Sequence, residues 1–539
     1  MPVSRRFLIA VVLIVIVIVA GYIGQNYYSR LVEISQREKV LIVAADDGEP
    51  ITLDPAVQYS TDSARIVRIA YDKLLDYKPG TVTEFVPDLA ESWDVSPDGL
   101  AYTFHLRQGV KFHDGTPFDA TAVEYSFERL KTMGMGASWF IVGPVDTVKV
   151  VDTYTVTFTL TDVYTDFLHR IAAGWGFYIV SPTAFKAQAT SDDPWAEKWA
   201  YDHIVGSGPY KLVEWMHHDH ITLAKNDDYW KGWAGKHIEQ VIVKEVKETT
   251  TQRLLLEKGD VDISYAMSIP DLLELKDNPD IDAVIEPSFS ALYIFIHCKR
   301  APLDDVRVRQ AVSYAYDYNA AVQTALKETG KQMRGPLPES IWGWDPNAPY
   351  YTTKLDKAKQ LMAEAGYPNG VDRTMVYTYP SGDEPKRIAG EVLKVSLANI
   401  GIKVELKGLV WAEQAAEAKN PDTAPDFFSL YWWPDYADPI DYLYGMFHTS
   451  MQGEAGYNWA YYSNPEVDKM LDTATVTPDA TKRMDMYKEL QKILVEEAPS
   501  LYVFEYPYTM GMRKWVKGFV YNPLFIGTFN VYEMYKELS

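Results

Sequence analysis

The sequence predicts an α/β protein of two or three domains, with a smaller α+β unit inserted near its N-terminal end. Three observations lead to this prediction. The chain has 539 residues, more than one hydrophobic core usually organises. Beyond Pro270, amphipathic helices alternate with short strands, which is typical of α/β domains. Between Gly80 and Leu160 apolar and polar residues alternate instead and tight turns appear, which favours β-structure.

The composition limits the classes of function. Hydrophobic residues make up 47% of the chain and aromatic residues 14%, which is enough for packed domains. The formal net charge is −22 and no basic stretch is present, which argues against nucleic-acid binding. The single cysteine, Cys298, excludes internal disulfides and a thiolate zinc site.

The N-terminus carries an apolar run, Phe7–Ala20, that extends weakly to Ile23 and follows Arg5 and Arg6. Its length is near the lower limit for a membrane-spanning helix and a little long for a signal-peptide core. The basic flank predicts that the rest of the chain lies outside the cytoplasm. We therefore expect residues 1–38 to form an uncleaved membrane anchor and a polar spacer, with a cleaved signal peptide as the alternative.

The elements of the first half follow from their patterns. Short apolar or alternating runs predict strands, and apolar residues at helical spacing predict helices. The predicted strands are Lys39–Ala44, Tyr102–Leu106, Thr153–Leu160, Ile238–Val246 and Gly259–Tyr265, with a further β segment from Gly206. The predicted helices are Ala64–Leu75, Asp119–Leu130 and Thr250–Lys258.

The second half contains longer amphipathic helices with strands between them. The predicted helices are Val306–Ala325, Lys354–Ala365, Pro385–Ile400 and Ala480–Glu497, and the predicted strands are Met375–Tyr379, Lys403–Leu406 and Phe427–Tyr431. No repeat and no Pro/Ser-rich linker interrupts them. We therefore expect the domains to be joined by crossing strands rather than by flexible tethers.

A search for catalytic patterns yields none that predicts an enzyme or a cofactor. The chain has no glycine-rich phosphate motif of the two common kinds, no GxSxG, no SxxK and no HExxH. The histidines of His217–His220 are the single metal candidate, because alternation places His218 and His220 on one face of a strand. The alternative is a polar hairpin loop between Trp215 and Ile221.

The stretch Ser429–Leu443 combines aromatic residues with a carboxylate. Tyr431, Trp432 and Trp433 precede Asp435, which Tyr436 follows. Aromatic faces offer large apolar contact, and one buried carboxylate can fix a single cationic group. The stretch therefore suits a cleft that grips an elongated ligand by one charged end. The alternative is a core strand running into a surface turn.

Eight motifs stand along the chain: Leu53–Pro55, Val86–Asp119, Gly206–Tyr210, Asn226–Trp230, Gly259–Ile263, Asp304–Ala311, Glu364–Pro368 and Tyr462–Asp468. In type and order they resemble those of extracytoplasmic solute-binding proteins that serve ABC importers, in the dipeptide/oligopeptide class called family 5. The strongest match is Val86–Asp119. The resemblance extends from about Lys39 to Tyr535.

The resemblance implies a two-lobed periplasmic-binding-protein-like fold in which two crossing strands join the lobes and act as a hinge. Lobe I would comprise residues 39–80, 161–265 and 509–539. Residues 81–160 would form an α+β domain inserted in lobe I, and residues 266–508 would form lobe II. These boundaries agree with the change in pattern near Gly80 and Leu160.

The resemblance also implies a function: capture of di- or oligopeptides between the lobes and delivery to a membrane permease, with no cofactor. In peptide-binding relatives the aspartate of a Trp-x-x-Asp stretch pairs with the ligand's α-ammonium group, and here that residue is Asp435. Trp432, Trp433 and Tyr436 would flank the ligand. The loop after Leu53–Pro55 lines the cleft in relatives, which adds a second set of candidates: Gln58, Tyr59 and Ser60.

Two other functions stay open at this stage. The same fold binding an oligosaccharide or a metal chelate would use the tryptophans for stacking and Asp435 for a hydroxyl group. A membrane-anchored, metal-dependent hydrolase would instead use His217–His220. For a ligand carboxylate the sequence offers only Arg387 and Arg334, without a positional argument for either.

Overall fold

The computed structural model describes residues 35–538 except 46, 47, 266, 328, 526 and 529. The apolar run predicted as a membrane anchor lies outside the described residues. Within the described part of the chain, no helix combines the length and the apolar character that crossing a bilayer requires.

The described chain contains 21 strands. They are β1 (Val40–Ala45), β2 (Leu75–Tyr77), β3 (Phe85–Pro87), β4 (Ala90–Val95), β5 (Ala101–Leu106), β6 (Val145–Asp152), β7 (Thr155–Leu160), β8 (Tyr210–Met216), β9 (His220–Lys225), β10 (Gln240–Glu245), β11 (Ile263–Tyr265), β12 (Ile281–Glu286), β13 (Ala291–Ile296), β14 (Lys331–Gln332), β15 (Thr374–Pro380), β16 (Lys403–Leu409), β17 (Phe427–Trp432), β18 (Ser500–Glu505), β19 (Tyr508–Arg513), β20 (Val516–Lys517) and β21 (Tyr535–Lys536).

The α-helices lie between these strands. They are α1 (Thr61–Ala70), α2 (Ala120–Met133), α3 (Ser138–Val142), α4 (Phe167–Ala172), α5 (Pro182–Gln188), α6 (Glu197–Ala200), α7 (Thr249–Lys258), α8 (Ile269–Leu275), α9 (Val306–Ala315), α10 (Tyr318–Ala325), α11 (Leu355–Glu364), α12 (Glu384–Ala398), α13 (Trp411–Ala418), α14 (Pro439–Phe447), α15 (Pro465–Thr475) and α16 (Ala480–Glu497). Short 3-10 helices cover Thr449–Met451, Gly453–Ala455 and Val531–Glu533.

The first sheet has seven strands in the order β12-β19-β11-β1-β10-β9-β8. Its centre is β1, whose apolar sequence suits a strand covered on both faces, and β1 runs parallel to both β10 and β11. Helix α1 contributes Ile66, Val67 and Ala70 to the core on this sheet, together with Leu41 and Val43 of β1. The loop that leads into α1 is thereby fixed against the first sheet.

The second sheet has six strands in the order β14-β18-β13-β17-β15-β16. Every residue of β13 is buried, and β13 pairs antiparallel with β17 on one side and β18 on the other. Strand β17 also runs parallel to β15. It therefore lies inside the sheet, and its C-terminal end is held in a fixed position.

The chain passes between these two sheets twice, from β12 to β13 and from β18 to β19. The two crossing segments are bonded to each other, since the amide of Tyr506 donates to the carbonyl of Ser290 at 2.8 Å. Strand β12 pairs with β19 along its whole length, in the first sheet. Strand β12, which the predicted lobe II included, therefore pairs within the first sheet, with strands of the predicted lobe I.

A third sheet, β4-β5-β7-β6, is antiparallel throughout. Helix α2 packs on it through Phe127, whose ring lies 6.0 Å from that of Phe158, and Phe158 in turn meets Phe104 at 5.5 Å. This sheet falls within the stretch where the sequence pattern changes to β-structure.

Two predicted helices differ in extent from what their apolar spacing suggested: one is divided in two, and the other ends earlier. The predicted helix Val306–Ala325 is divided into α9 and α10, because Tyr316 is extended and the Asp317 side chain caps the new helix by accepting from the Ala320 amide at 2.9 Å. The predicted helix Ala64–Leu75 ends at Ala70, and Leu75 begins β2. Apolar spacing alone did not reveal these cap and strand positions.

Candidate functional site

The candidate site begins where β17 ends and α14 begins. The Asp438 side chain accepts from the Ile440 amide at 3.0 Å, and Pro439 occupies the first turn, so α14 starts with a capping aspartate and a proline. Residues 434–438 connect the strand to this helix and are all buried. Asp435 is thus held between two rigid elements.

Asp435 is bonded to a residue of the other predicted cleft-lining segment. The hydroxyl of Tyr59, in the loop before α1, donates to Asp435 Oδ1 at 2.7 Å and to Oδ2 at 2.8 Å. Tyr59 keeps 37% of its surface exposed, whereas Asp435 keeps 5%. The structure therefore brings together two candidate residues that lie on opposite sides of the crossing segments.

A second carboxylate, Asp441, contacts the backbone of Asp435. Its Oδ2 accepts from Trp432 Nε1 at 3.1 Å and from the Asp435 amide at 3.2 Å. Asp441 is 4% exposed. The sequence analysis did not identify this residue, because an aspartate in the first turn of a helix is ordinarily explained by the helix dipole.

Burial dominates the electrostatics of both carboxyl groups. It raises the pKa of Asp435 to about 7, although the Tyr59 hydrogen bond and the Arg170 charge act in the opposite direction. Burial also raises the pKa of Asp441 well above its ordinary value, and the negative charge of Asp435 raises it further. In the described part of the chain, neither carboxylate forms an ion pair.

The nearest cations are already used by other carboxylates. Arg170 donates through Nη2 to Asp166 at 2.7 Å and to the Tyr436 hydroxyl at 2.9 Å. Arg483 donates to Asp438 at 3.2 Å and also to the hydroxyl of Thr165. Both arginines therefore hold the contact between the two sides of the site, and their charges are balanced by Asp166 and Asp438.

Aromatic rings surround the carboxylates. The ring of Tyr59 lies 5.2 Å from that of Trp175, and the ring of Trp432 lies 5.0 Å from that of Tyr457. The ring of Tyr436 lies under the Arg170 guanidinium at 4.6 Å. Such faces offer apolar contact and attract cations.

The other candidates of the site occupy different environments. Trp433 is half-buried. Gln58 is fully buried, and among the described residues neither the oxygen nor the nitrogen of its amide group has a hydrogen-bond partner. Ser60 stands at the start of α1, where its carbonyl accepts from the Ala64 amide at 2.9 Å. Its hydroxyl has no partner within the described part of the chain. Gln58 is thus the most enclosed polar group of this loop.

The histidine candidate lies elsewhere, at the tip of the β8–β9 hairpin. His217 Nδ1 lies 3.0 Å from Glu49, and His220 Nε2 lies 3.0 Å from Glu214. His218 has a left-handed backbone, with φ of 63°, at the turn itself. Among the described residues, no three side chains are grouped as a metal site. The hairpin loop that the sequence analysis offered as the alternative is what the backbone forms.

The two arginines considered for a ligand carboxylate are engaged in local contacts. Arg387 pairs with Glu384 at 2.6 Å on the surface of α12. The Arg334 guanidinium lies 4.4 Å from the centre of the Tyr350 ring. No contact connects either of them to the described residues around Asp435.

Comparisons with known proteins agree with this architecture. Residues 84–454, more than half of the chain, match the family model described as bacterial extracellular solute-binding proteins, family 5 Middle. The chain is 34% identical over 502 residues to the probable D,D-dipeptide-binding periplasmic protein DdpA of Escherichia coli (strain K12), covering 92% of this chain and 95% of that protein. It is 30% identical over 501 residues to heme-binding protein A of Haemophilus influenzae (strain ATCC 51907 / DSM 11121 / KW20 / Rd), covering 88% of each.

A solved structure matches nearly the whole chain. It is the ABC transporter-associated periplasmic binding protein DppA from Helicobacter pylori in complex with the peptide STSA. The TM-score is 0.80 at 25% sequence identity, covering 94% of this chain and 100% of that chain. The fold of the present chain is therefore the mixed α/β, two-lobed fold of periplasmic binding proteins.

Proposed function

The chain belongs to the bacterial extracellular solute-binding proteins of family 5, and from this membership we propose that it is the substrate-binding receptor of an ABC importer for peptides. It captures a peptide between its two lobes and delivers it to the membrane permease. The observation that carries the peptide assignment is Asp435, a buried carboxylate that has no partner cation among the described residues and is met by Tyr59 from the other lobe.

The α-ammonium group of a peptide is the natural partner for such a carboxylate. Asp435 is 5% exposed, so water screens its charge weakly and a bound cation is strongly attracted. A charge-assisted hydrogen bond of this kind is worth about 2–3 kcal/mol. Trp432, Trp433, Tyr436 and Tyr59 supply the aromatic contact beside that end of the peptide.

Closure of the lobes supports the same function. The contacts across the site are Tyr59 with Asp435, Arg170 with Tyr436, and Thr165 with Arg483. All of them depend on the two lobes being close together. A ligand that fits between the lobes favours the closed state by adding contacts that the open state lacks.

The alternatives are less well supported. An oligosaccharide has no charge to match the unpaired carboxylates, and a hydroxyl group would leave them uncompensated. The relatives include both dipeptide-binding proteins and a heme-binding protein, and the similar structure from Helicobacter pylori holds a peptide. The hydrolase alternative loses its basis, because the family consists of solute-binding proteins and His217–His220 pair with carboxylates on a hairpin tip.

The finer organisation is part of the proposal. Lobe I is built on the first sheet and comprises residues 39–80, 161–286 and 508–539, and residues 81–160 form an α+β domain inserted in it. Lobe II comprises residues 287–507, because β19 begins at Tyr508 and pairs with β12 in the first sheet. Residues 1–38 anchor the protein to the extracytoplasmic face of the membrane. The basic flank before the apolar run supports this orientation. Protease added to intact spheroplasts should digest the body of the chain, whereas protection would exclude this orientation.

The function is tested by peptide-induced thermal stabilisation of the purified protein. Native mass spectrometry first identifies any carried ligand, and a library of di- to pentapeptides is then screened. We expect free peptides to stabilise the wild type, and N-acetylated forms of the same peptides to have little effect. Asp435→Asn should bind about 30-fold or more weakly, as the loss of 2–3 kcal/mol implies.

The matched control is Asp479→Asn, an exposed capping aspartate of α16 that asparagine replaces equally well as a cap. This variant should bind like the wild type. Equal stabilisation of wild type and Asp435→Asn by the same peptide would exclude Asp435 as the ammonium partner. A carried ligand that is not a peptide would exclude the peptide assignment.

A further inference from the structure

We propose that Asp441 is a second ligand-responsive carboxyl group, which holds a proton in the empty site and releases it when the ligand's ammonium group binds. The inference rests on the proposed function, because it concerns the same site. It goes further by assigning a role to Asp441 and by predicting that one proton leaves as the ligand enters. The ammonium group then lies between two carboxylates rather than on one.

Burial of Asp441 beside a second carboxyl group favours its protonated form. Oδ2 accepts from two N–H donors, the indole of Trp432 and the amide of Asp435, and these two bonds act in the opposite direction, because N–H donors stabilise a carboxylate. Among the described residues nothing donates to Oδ1, so Oδ1 is the oxygen that is free to carry the proton. At 4% exposure, a charged form of Asp441 would have little water around it.

The charges around the pair lead to the same conclusion. Arg170 is paired with Asp166, and Arg483 with Asp438, so neither balances the pair fully. The titratable or charged groups that face Asp441 are Asp435, Arg170, Tyr59, Tyr436, Tyr457 and, from the core side, Tyr293 with Tyr442. Two ionised carboxylates in this surrounding would repel each other, and a proton removes that repulsion.

Ligand binding changes this balance. An ammonium group at Asp435 adds one positive charge, which stabilises the ionised form of Asp441. The proton of Oδ1 then passes to solvent, and no bond of the peptide changes. Because the two carboxyl groups interact, they titrate as a pair in the ligand-free protein, and the proton is shared between them. The bound ammonium group removes that proton from the pair. The site thereby exchanges a proton for an ammonium group.

The expected pH dependence follows from the sign of this exchange. A ligand that displaces a proton binds more tightly as the pH rises, by about tenfold per pH unit while the exchange is complete. At pH 5.5 Asp441 keeps its proton in the peptide complex as well. Its neutral carboxyl group then adds no electrostatic attraction for the ammonium group of the peptide. The ammonium group of the peptide itself begins to lose its proton near pH 8, so the measurements should stay below that value.

The test compares the full-length wild type with Asp441→Asn. Asparagine has the shape of the protonated aspartic acid, and its carbonyl oxygen can still accept from Trp432 and the Asp435 amide. The probe is the peptide that stabilises the wild type most in the library screen. We expect equal affinities at pH 5.5 and about tenfold weaker binding by the variant at pH 7.5.

Proton release is measured directly by calorimetry in buffers of different ionisation enthalpy. At pH 7.5 the wild type should release about one proton per peptide more than Asp441→Asn, a difference in which the peptide's own titration cancels. Asp479→Asn should match the wild type. Equal release by wild type and Asp441→Asn overturns the proposal, even if the variant binds more weakly.

A second readout does not depend on peptides. Infrared difference spectra of the ligand-free proteins at pH 7.5, wild type minus Asp441→Asn, should contain the carbonyl stretch of a protonated carboxylic acid. Its absence overturns the proposal whether or not a peptide binds. If the band is present but no peptide binds, the protonated carboxyl group stands and the peptide function fails.

Discussion

Two buried aspartates in this protein have opposite relations to positive charge. Asp54 in lobe I pairs with Arg129 through two parallel hydrogen bonds, Oδ1 to Nη1 at 2.6 Å and Oδ2 to Nη2 at 2.5 Å, and both side chains are almost fully buried. Asp435 in the cleft is nearly as buried but receives only the hydroxyl of Tyr59. The first aspartate has its cation in the fold, whereas among the described residues the second has none, and we propose that the ligand supplies it.

The comparison distinguishes a buried carboxylate that is paired with an arginine from a buried carboxylate that is proposed to bind a ligand. Asp54 also accepts from the Ala56 amide at 2.9 Å, and Arg129 donates through Nε to the Trp195 carbonyl at 2.9 Å. Both groups of the structural pair therefore have their hydrogen bonds inside the protein. Asp435 and Asp441 share a surrounding without a free cation among the described residues, and burying carboxyl groups in this way lowers the stability of the fold.

The largest effect is expected when the structural pair is broken. Arg129→Met should leave Asp54 buried without its cation and lower the free energy of unfolding by about 3–5 kcal/mol. Chemical denaturation of the ligand-free protein measures it. The double variant Arg129→Met/Asp54→Asn should recover part of the loss. A loss below about 1 kcal/mol in the single variant would contradict the contrast between the two sites.

The cleft carboxylates should produce an effect of the opposite sign. The pKa of Asp435 is raised in the folded protein to about 7, so folding binds a proton there. The contribution of Asp435 to the free energy of unfolding is then greatest at acidic pH. It decreases as the pH rises from about 4 to about 7, by about 1.4 kcal/mol per pH unit where the folded protein holds this proton and the unfolded chain does not. Asp435→Asn removes this loss.

Thermal unfolding of ligand-free wild type and Asp435→Asn, measured between pH 5 and 7.5, checks this sign. The variant should become progressively more stable than the wild type as the pH rises. Asp479→Asn, which changes an exposed aspartate, should follow the wild type throughout. A constant difference between wild type and Asp435→Asn would show that Asp435 ionises at its ordinary pKa.

The smallest effect is expected from the single hydroxyl that joins the lobes. Tyr59→Phe removes one donor from Asp435 and leaves the aromatic ring, so peptide affinity should fall about three- to tenfold at pH 7, in keeping with one hydrogen bond. The loss should shrink at pH 7.5, because a larger share of Asp435 is then ionised without the help of Tyr59. Titration calorimetry measures both values. The matched control, Tyr201→Phe, changes an exposed tyrosine in another part of lobe I and should leave affinity unchanged.

Local sequence patterns predicted the strand beside the site well. The apolar stretch Phe427–Tyr431 was predicted as a strand and forms most of β17. Lys403–Leu406 and Met375–Tyr379 lie within β16 and β15. Phe427–Tyr431 was predictable because burial inside a sheet requires a nearly continuous apolar run. Lys403–Leu406 lies in the edge strand, where apolar and charged residues alternate, and that period of two is equally visible in the chain.

Features that depend on distant partners were harder to predict. The predicted lobe II included β12, because nothing in the sequence of β12 indicates that it pairs with β19, far along the chain. Asp441 was missed for a similar reason. Its place in the first turn of α14 has an ordinary local explanation, and only the folded chain directs it back to the Asp435 amide.

The sequence by itself determined the family and the two-lobed class of fold, because motifs and apolar patterns are local properties, and it led to the prediction that Asp435 binds the ligand. The tertiary structure decided what surrounds that carboxylate. It placed the hydroxyl of Tyr59 on Asp435, paired Arg170 and Arg483 with other aspartates, and left Asp441 as a second carboxyl group without an ion-pair partner among the described residues. Whether a buried charge is balanced depends on distances between segments far apart in the chain, and folding alone sets those distances.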